Sequence, residues 1–194
     1  MKAIRSNLSQ HAPPPAVLCF LLWLAGFAGL PTATRAQAPG EYQVKAAFIY
    51  NFGKFVEWPG EDETSPSDPF RICILGENPF GDEFSQATRG KQIKGHPIVV
   101  TPIARADQAA PCHVLFIAAT ERHAIQKTLE QIQTFRVLTV GESQDFAALG
   151  GIIRLELEEG RVRFEVNLTA AERARLKISS RLLGLAKAVT GGPR

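Results

Sequence analysis

The chain has 194 residues, 45% of them hydrophobic and 21% charged. That composition excludes a disordered chain and a multi-span membrane protein, and it fits one globular domain. The formal charge of +3 comes entirely from residues 1–36, which hold Lys2, Arg5 and Arg35 and no acid, so nineteen bases meet nineteen acids in the remainder and a nucleic-acid binder, which needs clustered excess Lys and Arg, is disfavoured.

Lys2 and Arg5 precede a fifteen-residue apolar run, Ala16–Leu30, followed by Pro31 and a small-residue site at Thr34-Arg35-Ala36. This is the layout of a secretory signal peptide, and the run is short for a membrane span. Residues 1–36 are therefore expected to be removed after Ala36, and residues 37–194 to form a single domain outside the cytoplasm. Cleavage after Ala38 would place Pro39 first, which is less suitable. An uncleaved amphipathic anchor is the alternative. Without Cys19 the cysteines are Cys73 and Cys112. In an oxidising compartment an even pair is read first as a disulfide, with two buried thiols as the alternative. Neither CxxC spacing nor paired histidines support a metal site.

Glu41–Trp58 carries Val44, Ala47, Phe48, Phe52 and Phe55 at helical spacing, and Pro59 stops it before an acidic loop over residues 60–69. Phe70–Leu75 reads as a strand buried on both faces. Gly76–Gly81 has the glycine gap of a phosphate loop, but Asp82 and Glu83 replace the required Lys and Ser/Thr. Asn78 as a helix N-cap with Pro79 following explains the segment better. His96–Ile103 and Val114–Ala118 are the next strands, then a helix over Glu121–Phe135, a strand at Val137–Val140 and a short helix at Asp145–Leu149. Alternating strands and helices predict an α/β layered sandwich with parallel strand pairs.

Ile153, Leu155 and Leu157 alternate with Arg154, Glu156 and Glu158. Beyond Glu159-Gly160, Val162, Phe164 and Val166 alternate with Arg161, Arg163 and Glu165. A two-residue turn sets Glu158 opposite Arg161, Glu156 opposite Arg163 and Arg154 opposite Glu165. The sheet is therefore mixed: parallel strands plus a C-terminal antiparallel hairpin, flanked by helices, with the polar hairpin face uncovered. A long helix is expected over Thr169–Val189, with Arg173, Lys177, Arg181 and Lys187 sharing its back. That stripe is either a solvated surface or a docking surface for acidic protein or lipid head groups.

No catalytic motif emerges. His96, His113 and His123 lie in no nucleophile or metal pattern, and Ser179-Ser180 is placed inside a helix. Around Asn51 the aromatics Phe48, Tyr50, Phe52, Phe55 and Trp58 cover more than a core-facing arc. Phe48, Phe52 and Phe55 are assigned to the core. Tyr50 and Trp58 are candidates for partly exposed interface anchors.

The segments Tyr42–Pro59 (YQVKAAFIYNFGKFVEWP), Phe70–Phe84 (FRICILGENPFGDEF) and Phe164–Val189 (FEVNLTAAERARLKISSRLLGLAKAV) resemble the YfiR family of periplasmic repressor proteins. The resemblance implies an α/β protein without catalytic residues, often a homodimer, and no cofactor is expected. It implies a partner in the periplasmic domain of an inner-membrane diguanylate cyclase, relief by an outer-membrane lipoprotein, and sensitivity to periplasmic redox state. Cys73 and Cys112 match the family's widespread cysteine pair. A second, shorter-range pair of better-known members would fall near Gly141–Gly151, where this chain has no cysteine. The expected function is repression of cyclic-di-GMP synthesis through protein–protein binding. A periplasmic small-ligand receptor, with its ligand at the strand ends, is the alternative.

Overall fold

In the computed structural model, which describes residues 40–60, 65 and 67–192, helices flank an eight-stranded mixed sheet. The expected signal peptide lies outside the described residues, as does part of the acidic loop. The helices are α1 (Glu41–Phe55), α2 (Glu83–Thr88), α3 (Arg122–Gln131), α4 (Leu168–Arg173) and α5 (Ser180–Leu183), with a 3-10 turn at Ala106–Ala109. The strands are β1 (Val56–Glu57), β2 (Phe70–Leu75), β3 (Gln92–Ile93), β4 (His96–Ile103), β5 (Val114–Ile117), β6 (Leu138–Gly141), β7 (Ile153–Glu158), β8 (Arg161–Asn167), β9 (Lys177–Ile178) and β10 (Ala188–Thr190).

The large sheet runs β10-β8-β7-β6-β5-β2-β4-β3, and β1 pairs separately with β9. The pairs β2–β4, β2–β5, β5–β6, β6–β7 and β8–β10 are parallel, whereas β7–β8 and β3–β4 are antiparallel. This is the mixed α/β sandwich expected from the sequence. The central strands β5 and β6 are buried along their whole length, as parallel strands covered on both faces must be.

Two apolar cores lie on opposite faces. Ile72, Ile74, Val114 and Phe116 join α1 in one, and Cys73, Leu115 and Ile117 join α3 in the other. On the first face Phe52 packs 5.1 Å from Phe164 and 6.0 Å from Phe48, ring centre to ring centre. Gly53 lets α1 lie close: a Cβ there would come 2.8 Å from Ile93 Cδ1 and 3.0 Å from Phe70 Cζ.

The hairpin has the expected register, with Arg154 opposite Glu165, Glu156 opposite Arg163 and Glu158 opposite Arg161. Its turn places both Glu159 (φ 49°) and Gly160 (φ 75°) in the left-handed region, the backbone of a type I′ turn.

The long C-terminal helix is not formed. α4 is closed by Arg175 at φ 60°, with Leu176 N–H donating to Ala171 O and Arg175 N–H to Glu172 O, both at 2.9 Å. These bonds make a Schellman closure with arginine in place of the usual glycine. The chain then forms β9, and Ser179 caps α5 by accepting from Leu182 N–H (3.3 Å). Lys187 N–H bonds to Phe164 O at 2.8 Å as β10 joins the sheet edge. Upstream, Asn78 does not cap a helix either. Its Oδ1 accepts from Phe80 N–H (3.0 Å) in a local turn, and α2 begins only at Glu83. Asp145–Leu149 is a turn rather than a short helix.

Candidate partner-binding surfaces

Trp58 is not an exposed anchor. It follows the end of α1, is only 8% exposed, and meets Phe70 at 5.3 Å and His113 at 5.8 Å, edge to face. β1 turns the chain inward after Phe55, so helical spacing no longer governs where this ring points. Phe52 is buried as expected, while Phe48 and Phe55 are partly buried against the same core. Tyr50 is half-buried. Lys54 Nζ lies 4.0 Å and Lys91 Nζ 5.4 Å from its ring centre, a favourable cation–aromatic arrangement.

Tyr50 forms one end of a groove of about 980 Å³ between α1 and α2. Tyr42 and Phe80, in edge contact at 5.5 Å, form the other end, and Ala46, Ala47 and Ala87 lie between. On the adjoining face of α1 a hollow of about 310 Å³ is lined by Val44, Ala47, Phe48 and Asn51. Beneath the first groove Lys45, almost fully buried, is held between Glu41 and Glu142, and Tyr42 Oη donates to Glu142 at 3.2 Å. Burial pushes the Lys45 ammonium down, yet the bonds from Glu142 and Glu41 outweigh it and leave its pKa raised. The sequence reading missed this cluster. Its one legible sign was a lysine among apolar helix residues with Glu41 four positions earlier.

From β2 the chain passes to β4 on one side, and from β4 it crosses back to β5 on the other. β2 and β5 therefore flank a topological switch point, where ligands of open α/β sheets sit. A crevice of about 670 Å³ opens there, bordered by Gly76, Glu77, Arg105, Ala118, Lys127 and Phe135. Arg105 is engaged with Asp107 at 2.9 Å. A smaller cleft of about 160 Å³ lies between Trp58, His113 and Arg136.

Cys73 on β2 and Cys112 just before β5 form a disulfide with Cα atoms 6.0 Å apart. Both residues are buried in the second core, so the bridge straps neighbouring strands and is shielded from solvent.

The four basic candidates do not share a helix face. Arg173 ends α4, Lys177 lies on β9 opposite Glu57, and the single turn of α5 carries Arg181. All three are exposed, and none forms an ion pair among the described residues. Lys187 differs, being paired to Glu156 at 2.8 Å and Glu158 at 2.7 Å. Arg175, outside the stripe on a helical wheel, joins the exposed group because of its left-handed backbone.

Two of the histidines are held in backbone contacts. Arg71 N–H donates to His113 Nδ1 at 3.1 Å while the imidazole stacks on Phe70, and His96 Nδ1 lies 2.9 Å from Asp68 O. Among the described residues no three metal-ligating side chains cluster, and no helix is long and apolar enough to cross a membrane.

The sheet order and its flanking helices define the class as a mixed α/β sandwich. Residues 42–187 match the YfiR/HmsC-like family, and the chain belongs to it. Members of this family are non-catalytic periplasmic regulators, consistent with a chain without enzymatic activity. A solved structure of a conserved domain protein from Vibrio cholerae O1 biovar El Tor strain N16961 is similar at 15% identity and a TM-score of 0.43. The match covers 62% of this chain and 54% of that one, so the chain spans about half of that protein's length.

Proposed function

We propose that the protein is exported to the periplasm and represses a membrane-anchored diguanylate cyclase by binding the cyclase's periplasmic domain. Family membership across residues 42–187 supports this reading. Cyclic di-GMP falls when the complex forms, and an outer-membrane lipoprotein relieves the repression by sequestering the protein, which acts as a homodimer. Tyr50, at one end of the α1–α2 groove, is an aromatic contact of the partner surface. Deleting the gene raises cellular cyclic di-GMP and biofilm formation, and capture from native membranes recovers the cyclase. Unchanged cyclic di-GMP in a strain that normally expresses the protein sinks the proposal.

The switch-point crevice between β2 and β5 favours a second reading, a periplasmic receptor for a small ligand. A thermal-shift screen separates the two, since a ligand at about 100 times its dissociation constant adds about 2.7 kcal/mol of stability.

A further inference from the structure

Charge is unevenly divided along the chain. Residues 168–194 hold six bases and one acid, whereas residues 37–167 hold thirteen bases and eighteen acids. The structure gathers much of that C-terminal excess at one corner. α4 ends in Arg173, the Schellman closure turns Arg175 outward, β9 carries Lys177 and the single turn of α5 carries Arg181. The short β9 and α5 are tied to the end of α1, with Ser179 N–H donating to Phe55 O at 2.9 Å. All four cations are exposed. None is ion-paired among the described residues, unlike Lys187 of the same C-terminal segment; exposed Arg161 and Arg163 on the hairpin are likewise without an ion pair and lie apart from this group in sequence.

We propose that this corner is a docking surface for an anionic phospholipid bilayer. Each exposed Lys or Arg gains from the negative surface potential of such a membrane. The opposite sign of the rest of the domain orients the molecule with this corner facing the lipid. Leu185, one turn beyond Arg181 and 65% exposed, is the apolar side chain placed to enter the acyl boundary between the head groups. An acidic protein would draw its affinity from buried aromatic or apolar anchors, whereas a bilayer needs only exposed cations and a shallow apolar contact, which Leu185 supplies here. This proposal does not depend on the cyclase reading, because its test contains no other protein.

The test is co-sedimentation of the purified protein with vesicles of phosphatidylcholine alone or mixed with phosphatidylglycerol, at low and high salt. Binding is expected only to the mixed vesicles and should weaken as salt rises. Lys177→Gln with Arg181→Gln should lower partitioning about thirty-fold, from the usual gain per cation at a membrane surface. Arg161→Gln with Arg163→Gln, an equal charge change on the exposed hairpin, should leave most of the binding intact. Leu185→Ser should weaken binding while its salt dependence persists. Circular dichroism on every variant separates unfolding from lost contact. Three results overturn the proposal: no binding to the mixed vesicles, equal binding to neutral ones, or equal loss in the hairpin variant. Binding to polyglutamate without binding to vesicles also overturns it and assigns the corner to an acidic protein.

Discussion

Lys187 Nζ lies 2.8 Å from Glu156 Oε1 and, through a second contact of 2.7 Å, also holds Glu158. The residue just before β10 is thus fastened to β7, two strands away, across the polar face of the hairpin. Arg154 completes the network, bonded to Glu165 at 3.0 Å and to Glu156 at 2.5 Å. Glu156 stands opposite Arg163 in the register, yet its charge is satisfied by Lys187 and Arg154. One lysine side chain reaches across this polar face, and an edge strand of three residues gains an electrostatic tether.

The tether has a pH signature. Lys187 holds the Glu156 carboxyl below its ordinary value of 4.5, against the opposing effect of burial, and Arg154 adds to it. A pKa lower in the folded than in the unfolded state stabilises fully above 4.5, and the stabilisation is lost as pH falls through the folded value. Lys187→Met should therefore flatten the acid limb of the stability curve and speed hydrogen exchange at Val189 and Thr190. Urea midpoints measured from neutrality downward, with exchange rates at those amides, check it. An unchanged acid limb would show that the tether does not contribute.

The hairpin was legible because two independent signals agreed: a two-residue turn fixes the register, and in that register every charged pair is opposite in sign. The C-terminal segment was not legible, for a physical reason. Its apolar spacing suits a helix throughout, and the residue that ends α4, Arg175, carries no glycine signal for its left-handed backbone. Ser179, placed inside the expected helix by the continuous periodicity, is instead the cap of α5. Trp58 was misplaced for a related reason, since a helical wheel was extended beyond the last helical residue. The exposure of Arg173, Lys177 and Arg181 followed from their charge; their arrangement on the end of α4, a strand and a new helix could not.

Trp58→Ala should act on stability. Its indole is buried against Phe70 and His113, and truncating a buried aromatic ring costs about 3–5 kcal/mol. Tyr50→Ala, at a half-buried groove wall, should cost far less. Chemical denaturation of both variants decides this, and equal stability losses would contradict the division between core and surface.

Neither Cys73 nor Cys112 should react with an alkylating reagent in the denatured, unreduced protein. The bridge closes a loop across 39 positions, which the chain-entropy account values at about 4 kcal/mol. The paired substitution Cys73→Ser and Cys112→Ser should lower stability by about that amount. Alkylation of both residues in protein recovered from the periplasm would overturn the assignment.

Lys45→Met should be severely destabilising, by about 3–5 kcal/mol, because it leaves Glu41 and Glu142 without their shared cation in a poorly solvated site. Adding Glu41→Gln and Glu142→Gln should recover much of the loss. The Lys45 pKa is raised on folding, so its contribution is complete below 10.5 and disappears as pH rises through the higher folded value. Urea denaturation of the single and triple variants tests the arrangement, and a triple variant no more stable than the single one would refute it.

Phe146 supplies a sharper test of packing. Its ring, fully buried in the second core, is clamped between two glycines. A Cβ on Gly141 would come 2.3 Å from Cε2, and one on Gly151 2.2 Å from Cε1, on the opposite edge. Neither glycine has a positive φ among the described backbone outliers, so their role is the space they leave and not the backbone angle they adopt. Gly141→Ala and Gly151→Ala should each cost about 3 kcal/mol, the upper end of ordinary overpacking, since the ring cannot yield to one side without meeting the other. Phe146→Leu relieves both collisions at once. Combined with either alanine it should give a protein more stable than the two separate losses predict, with a coupling of at least about 1 kcal/mol. Denaturation of the singles and doubles yields that coupling directly. Strict additivity would mean that the segment between Gly141 and Gly151 moves aside instead of holding the ring.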